Sequence, residues 1–108
     1  MAVWENKTDF KSCVLEWAGK LDIVVQSINL RPMSRKWASC STSGRLNFNN
    51  ELLSIDKSLG EYVIVHELMH FRVPNHGRLW KSYMNLYLPN WQTLDKKLRE
   101  VTQKELDF

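Results

Sequence analysis

The chain has 108 residues, of which 44% are hydrophobic and 25% charged, with a net charge of +3. Those proportions are those of a folded globular chain and exclude disordered, collagen-like and low-complexity classes. The length allows one domain, residues 1–108, with one core and no separate regulatory unit.

In chain order, the first periodic segment runs from Lys7 to Lys20. Phe10, Val14, Trp17 and Leu21 recur at helical spacing, so they predict one buried face of a helix. Asn6 is the expected cap, Asp9 favours the dipole in the first turn, and Gly19 marks the expected end. The stretch Leu21 to Leu30 is rich in β-branched residues and is expected to be a strand, stopped by Pro32. Arg45 to Asn49 alternates polar and apolar, and Trp37 to Cys40 is expected to pair with it as a hairpin across the polar loop Ser39–Gly44.

Ser58 with Glu61 three residues on predicts a capping box at the head of a helix carrying Tyr62 to His70. Pro74 disfavours helix at Val73, so this helix is expected to end near Arg72. Asn75 is the expected cap of a further helix with Leu79, Trp80, Tyr83, Met84 and Tyr87. After the Pro89–Asn90 break, a last helix shows Trp91, Leu94, Leu98 and Val101 at helical spacing. Strands clustered ahead of helices, without βαβ alternation, predict an α+β fold with a small antiparallel or mixed sheet.

No apolar run approaches the roughly 18 residues of a membrane span, and the first residues lack the basic-then-apolar pattern of a signal peptide. The two cysteines, Cys13 and Cys40, are too few for a disulfide scaffold and are expected to be reduced thiols in a cytoplasmic protein. Arg31, Arg35, Lys36 and Arg45 lie in one stretch without an acid, and Arg72, Arg78 and Lys81 in another. Such stretches keep a surface solvated, or attract phosphate or an acidic partner.

The segment His66-Glu67-Leu68-Met69-His70 carries the chemistry. On a helix, positions i and i+4 lie about 40° apart in rotation and one turn apart in height. Both imidazoles then reach one metal ion, and Glu67 stands beside that ion, placed to take a proton from water. His76 follows six residues after His70, so all three histidines of the chain fall within eleven residues. Three protein ligands with one open position make a catalytic rather than a structural zinc site. The His70–His76 gap equals that of the metzincin pattern, but Val73 occupies that pattern's glycine position, so that class is not matched.

The run from Glu61 to Trp80, containing Tyr-Val-Ile-Val-His-Glu-Leu-Met-His and then Asn75-His76, resembles the signature of the YgjP-like predicted zinc metallopeptidases. Arg31-Pro-Met-Ser-Arg-Lys-Trp-Ala-Ser-Cys40 resembles that family's upstream element, with Ala38 in place of the usual glycine. Arg45-Leu-Asn-Phe-Asn49 resembles its strand. The resemblance covers about residues 31–92. It implies a zincin-like fold, related to SprT-like and Wss-type proteases and to minimal gluzincins. It also implies zinc held by His66, His70 and His76, with Glu67 as base.

The expected reaction is hydrolysis of a peptide or protein substrate. Tyr83, Tyr87, Arg72 and Arg78 are candidates to support the oxyanion. Asn47 is a candidate substrate contact on the Arg45–Asn49 strand, which is either a sheet edge that would pair with an extended peptide or an ordinary paired strand. Two alternatives remain at this level. One is a metal-dependent nucleotide pyrophosphatase using Arg31, Arg35, Lys36, Arg72 and Arg78 for phosphates. The other is a zinc-stabilised binding module, with nucleic acid as the weaker partner class. Cys40 is expected to be a small buried residue, with metal ligation as the less favoured role.

Overall fold

Phe10, Val14, Trp17, Ala18 and Leu21 form the buried face of the first helix, α1 (Lys7–Leu21). The computed structural model describes residues 3–41, 43–73 and 77–101. Asn6 caps α1 as expected, its side chain accepting from the Asp9 N–H at 2.8 Å. The other end differs from expectation. Gly19 lies inside the helix, and the chain turns instead at Asp22, in the left-handed region at φ 56°. The Ile23 N–H closes the turn on the Ala18 carbonyl at 2.9 Å. That closure draws Leu21 into the helix and leaves Val24 82% exposed. The strand expected from Leu21 therefore begins only at Ser27.

The sheet has three strands: β1 (Ser27–Arg31), β2 (Ala38–Cys40) and β3 (Arg45–Asn49), in the order β1-β3-β2. The β2–β3 hairpin forms as expected, with Ser39 opposite Asn47. β1 then joins the far side of β3 in parallel, with Leu30 opposite Phe48. Of the two roles open to β3, a sheet edge or an ordinary paired strand, the structure has the second: it is the middle strand, and β1 and β2 are the outer ones. Gly44, at φ 92°, takes the backbone conformation the hairpin turn needs. Leu46 and Phe48 are fully buried on one face, and Phe48 meets Phe10 of α1 edge to face at 5.0 Å. Asn49, 1% exposed, ties down the β1–β2 connection by donating to the Met33 and Lys36 carbonyls at 2.8 and 3.0 Å. Its Oδ1 accepts from Glu51 N–H at the head of a short 3₁₀ turn, Asn50–Ser54.

The central helix is α2 (Lys57–Met69). Its cap is Asp56, not Ser58: the Asp56 carboxylate accepts from the Ser58 N–H and hydroxyl, both at 3.1 Å. Those bonds hold the Asp56 carboxyl below its ordinary pKa. Glu61, expected to complete a capping box, instead accepts from the Trp17 indole at 3.0 Å and joins α2 to α1. Every residue from Tyr62 to Met69 is buried, because α2 packs on α1, β2, the 3₁₀ turn and the two C-terminal helices. A helix surrounded in this way is apolar all round rather than striped.

Helix α3 (Arg78–Tyr87) has Gly77 at its N-cap position; Asn75, the expected cap, lies outside the described residues. It buries Trp80 and Met84 and leaves Leu79 59% exposed. Helix α4 (Trp91–Val101) buries Trp91, Leu94 and Leu98, while Val101, expected on the same face, is exposed.

One close approach fixes a residue type. A Cβ on Gly60 would stand 2.6 Å from the buried Trp4 indole nitrogen, whereas one on Gly19 meets nothing within 4 Å. Gly19→Ala is expected to raise stability by about 0.5–1 kcal/mol through helix propensity. Gly60→Ala is expected to lower it by roughly 1–2 kcal/mol, because overpacking outweighs the same gain. Thermal unfolding of the two variants checks the opposite signs; a rise in both would mean that Trp4 yields freely.

Candidate metal centre

His66 and Glu67 belong to the last full turn of α2, and His70 continues it with helical backbone at φ −63°, ψ −23°. The backbone turns once more before leaving: the Arg72 and Val73 N–H groups both reach the Met69 carbonyl, at 3.0 and 2.8 Å. The expected end of the helix near Arg72 thus corresponds to this closing turn.

The four-residue spacing brings the two imidazoles together, with ring centroids 4.9 Å apart. Donor atoms of His66, Glu67 and His70 all lie within 4.8 Å of one another. Ligands of a tetrahedral ion, each about 2 Å from it, stand roughly 3.3 Å apart, so a cluster of this size has the scale of a single-ion site with the Glu67 carboxylate beside it. His66 and Glu67 are 1% and 0% exposed, while His70 is half-buried. Two imidazoles on one helix face suit a first-row dication, with a carboxylate beside them to act on a water that the ion would hold. The donor set therefore fits a metal. His76 lies outside the described residues. Among the described residues Cys40 is not part of this group; it is half-buried on β2, opposite Leu46.

Two aromatic side chains that were not among the candidate site residues flank His66. Tyr62, one helical turn earlier, meets the imidazole edge to face at 5.7 Å. Trp80 of α3 does the same at 5.2 Å, and Trp91 of α4 packs behind Trp80 at 5.2 Å. The Tyr62 hydroxyl donates to Asp95 of α4 at 2.9 Å, and Asp95 also accepts from Arg99 at 2.8 Å. Burial pushes the Tyr62 hydroxyl well above its ordinary pKa, and the Asp95 carboxylate adds to the shift, so the group stays a proton donor. The i, i+4 spacing from Tyr62 to His66 was available as a signal; the Tyr62–Asp95 contact across 33 residues was not.

The remaining candidates are spread more widely. Arg72 directs its guanidinium at the Leu21 carbonyl, donating from Nε at 2.8 Å and also from Nη2, and so satisfies the C-terminus of α1. Arg72 and Tyr83 line one open groove of about 580 Å³ together with Asp22, Ile23, Val24, Phe71 and Leu79. Arg78 is exposed at the first turn of α3, and Tyr87 is half-buried against the core. Asn47, flanked in sequence by the buried Leu46 and Phe48, belongs to the other face of the sheet. Cys13 and Cys40 are both free thiols. Burial, reinforced by Glu61, pushes the Cys13 thiol up to about 11, so it is no nucleophile at neutral pH.

A family model described as YgjP-like, metallopeptidase domain, matches residues 4–101. An uncharacterised protein of Methanocaldococcus jannaschii is 37% identical over 93 residues, covering 81% of this chain and 84% of its own length. The fold is similar to the crystal structure of the metallopeptidase zymogen of Methanocaldococcus jannaschii jannalysin. That chain is 31% identical with a TM-score of 0.76, over 93% of this chain and 96% of the other. The metallopeptidase zymogen of Pyrococcus abyssi abylysin shares the fold, at a TM-score of 0.80 and 14% identity, over 91% of this chain and 99% of the other.

Proposed function

Because the chain belongs to the YgjP-like metallopeptidase family, we propose that it hydrolyses peptide bonds at a zinc centre held by His66, His70 and His76, with Glu67 as the proton carrier. The observation that carries this reading is the meeting of His66, Glu67 and His70 donor atoms within 4.8 Å at the end of one buried helix. Zinc bound in such a site lowers the pKa of its water towards about 7 and polarises a carbonyl oxygen.

The protein's own groups do the rest. Glu67, next in sequence to one ligand and on neither ligand's row, takes the proton of the attacking water and returns it to the leaving amine. An extended substrate pairs with the outer strand β2, which packs on α2, rather than with the enclosed β3. Tyr83 is the preferred candidate beside the leaving bond, since Arg72 is engaged with the Leu21 carbonyl. The free thiols Cys13 and Cys40 suit the reducing cytoplasm, and no helix among the described residues is long and apolar enough to cross a membrane.

Purified protein is expected to carry one equivalent of zinc and to cleave casein-like substrates. A chelator should abolish cleavage and added zinc restore it, read by elemental analysis and fluorescent peptide release. Protein that fails to retain zinc after saturation and dialysis would overturn the reading. Retention of tight zinc by His76→Ala would remove His76 from the ligand set.

A further inference from the structure

We infer that α4 is a positioning element for the metal centre, acting on the His66 imidazole through two aromatic side chains, Tyr62 and Trp80. The inference rests on the reading of His66 as a metal ligand and goes beyond it by naming what sets that ligand's orientation.

Two routes lead from α4 to His66. In the first, Asp95 accepts from the Tyr62 hydroxyl at 2.9 Å, and the Tyr62 ring meets the imidazole at 5.7 Å with planes 75° apart. In the second, Trp91 packs on Trp80 at 5.2 Å, and Trp80 meets the imidazole at 5.2 Å with planes 73° apart. The imidazole thus has an aromatic edge contact from its own helix and another from α3. Both contacts are anchored by α4, and His66 itself is 1% exposed.

A histidine ligand gains affinity when its ring is already held in the binding orientation, because less freedom is lost on binding. In most metal sites a hydrogen bond to the second ring nitrogen does this work, and losing it costs about 10–100-fold in metal affinity. Here the packing of two buried rings adds a steric constraint on χ2. Tyr62 and Trp80 are themselves buried, at 1% and 2% exposure, so neither ring swings towards solvent without leaving the core. Asp95 matters because its bond to Tyr62 crosses from α4 to α2 and keeps the Tyr62 ring in place. Arg99 donates to the other carboxylate oxygen of Asp95 at 2.8 Å and keeps the acceptor aligned. Positioning is reciprocal: if docked α4 raises zinc affinity by some factor, bound zinc favours docked α4 by the same factor.

The test measures zinc affinity by chelator competition in the full chain. The visible spectrum of the cobalt-substituted protein serves as a second readout that does not depend on activity. Tyr62→Leu and Trp80→Leu are each expected to weaken zinc by about tenfold or more and to shift the cobalt bands. Tyr62→Phe keeps the ring and should restore most of the affinity, falling short by a few-fold because the Asp95 anchor is gone. Asp95→Leu should match Tyr62→Phe. Leu98→Ala removes a buried α4 side chain outside both routes. It should lower stability while leaving the cobalt spectrum unchanged. In the wild-type protein, zinc should slow amide exchange along α4.

Wild-type affinity and spectrum in Tyr62→Leu or Trp80→Leu would overturn the inference. So would a Leu98→Ala loss of affinity equal to theirs at equal stability, since the effect would then be general loosening. Wild-type protein that binds no zinc would instead overturn the reading of the metal site, and the inference with it.

Discussion

Glu67→Gln will leave zinc bound and cut peptide hydrolysis by about 10²–10⁴-fold. Glutamine preserves the volume of the buried side chain, 0% exposed on α2, so packing is undisturbed. What it loses is the ability to accept a proton at neutral pH. The loss should fall on kcat, because the role proposed for Glu67 is on the water and the leaving amine rather than on the rest of the substrate; KM should change by no more than a few-fold. Zinc content and steady-state kinetics on one peptide separate the outcomes. Hydrolysis at the wild-type rate would remove Glu67 from the mechanism. Loss of zinc would make Glu67 a ligand, a role its proximity to the histidine donors also permits.

The largest effect on stability is expected from Phe48→Ala. Phe48 is fully buried in the middle strand and meets the equally buried Phe10 edge to face at 5.0 Å, so one ring joins the sheet to α1. Truncating a buried phenylalanine costs about 3–5 kcal/mol, counting both lost transfer energy and the cavity left behind. Domains of this size have only about 5–15 kcal/mol in total. With a urea m-value of about 1.5 kcal/mol/M, the midpoint should fall by roughly 2–3 M. A fall of less than 0.5 M would mean that the neighbouring side chains close the cavity.

The helical parts of the fold were legible because their apolar periodicity is strong. Phe10, Val14, Trp17 and Leu21 are all buried, as are Trp91, Leu94 and Leu98. The closeness of His66 and His70 was legible because i and i+4 on one helix is a local relation, and the helix enforces it. Long-range relations were not legible. A strand, a hairpin and a polar turn in sequence suggest a meander. Nothing in Ser27–Arg31 announces that it passes the hairpin and pairs in parallel with β3. The strand boundary failed at Asp22, where a left-handed residue outside the usual glycine rule ended the helix. Arg72, a candidate from its basic stretch, donates to the Leu21 carbonyl at the end of α1, a long-range contact that its sequence neighbours do not announce. Tyr62 and Trp80 could be read as core, and they are core. Only the folded arrangement shows that the surface they bury against belongs to His66.

The shortness of β2 bears on how a substrate is chosen. At three residues, Ala38–Cys40, it gives an added strand only a few backbone hydrogen bonds, each worth about 1 kcal/mol net. The sum, roughly 2–4 kcal/mol, falls short of the 4.1 kcal/mol that corresponds to millimolar binding. With a substrate paired on β2 as proposed, main-chain bonds would align it without retaining it. Discrimination between substrates would then fall to the side chains on either hand of the cleaved bond, and a featureless extended chain should be a poor ligand.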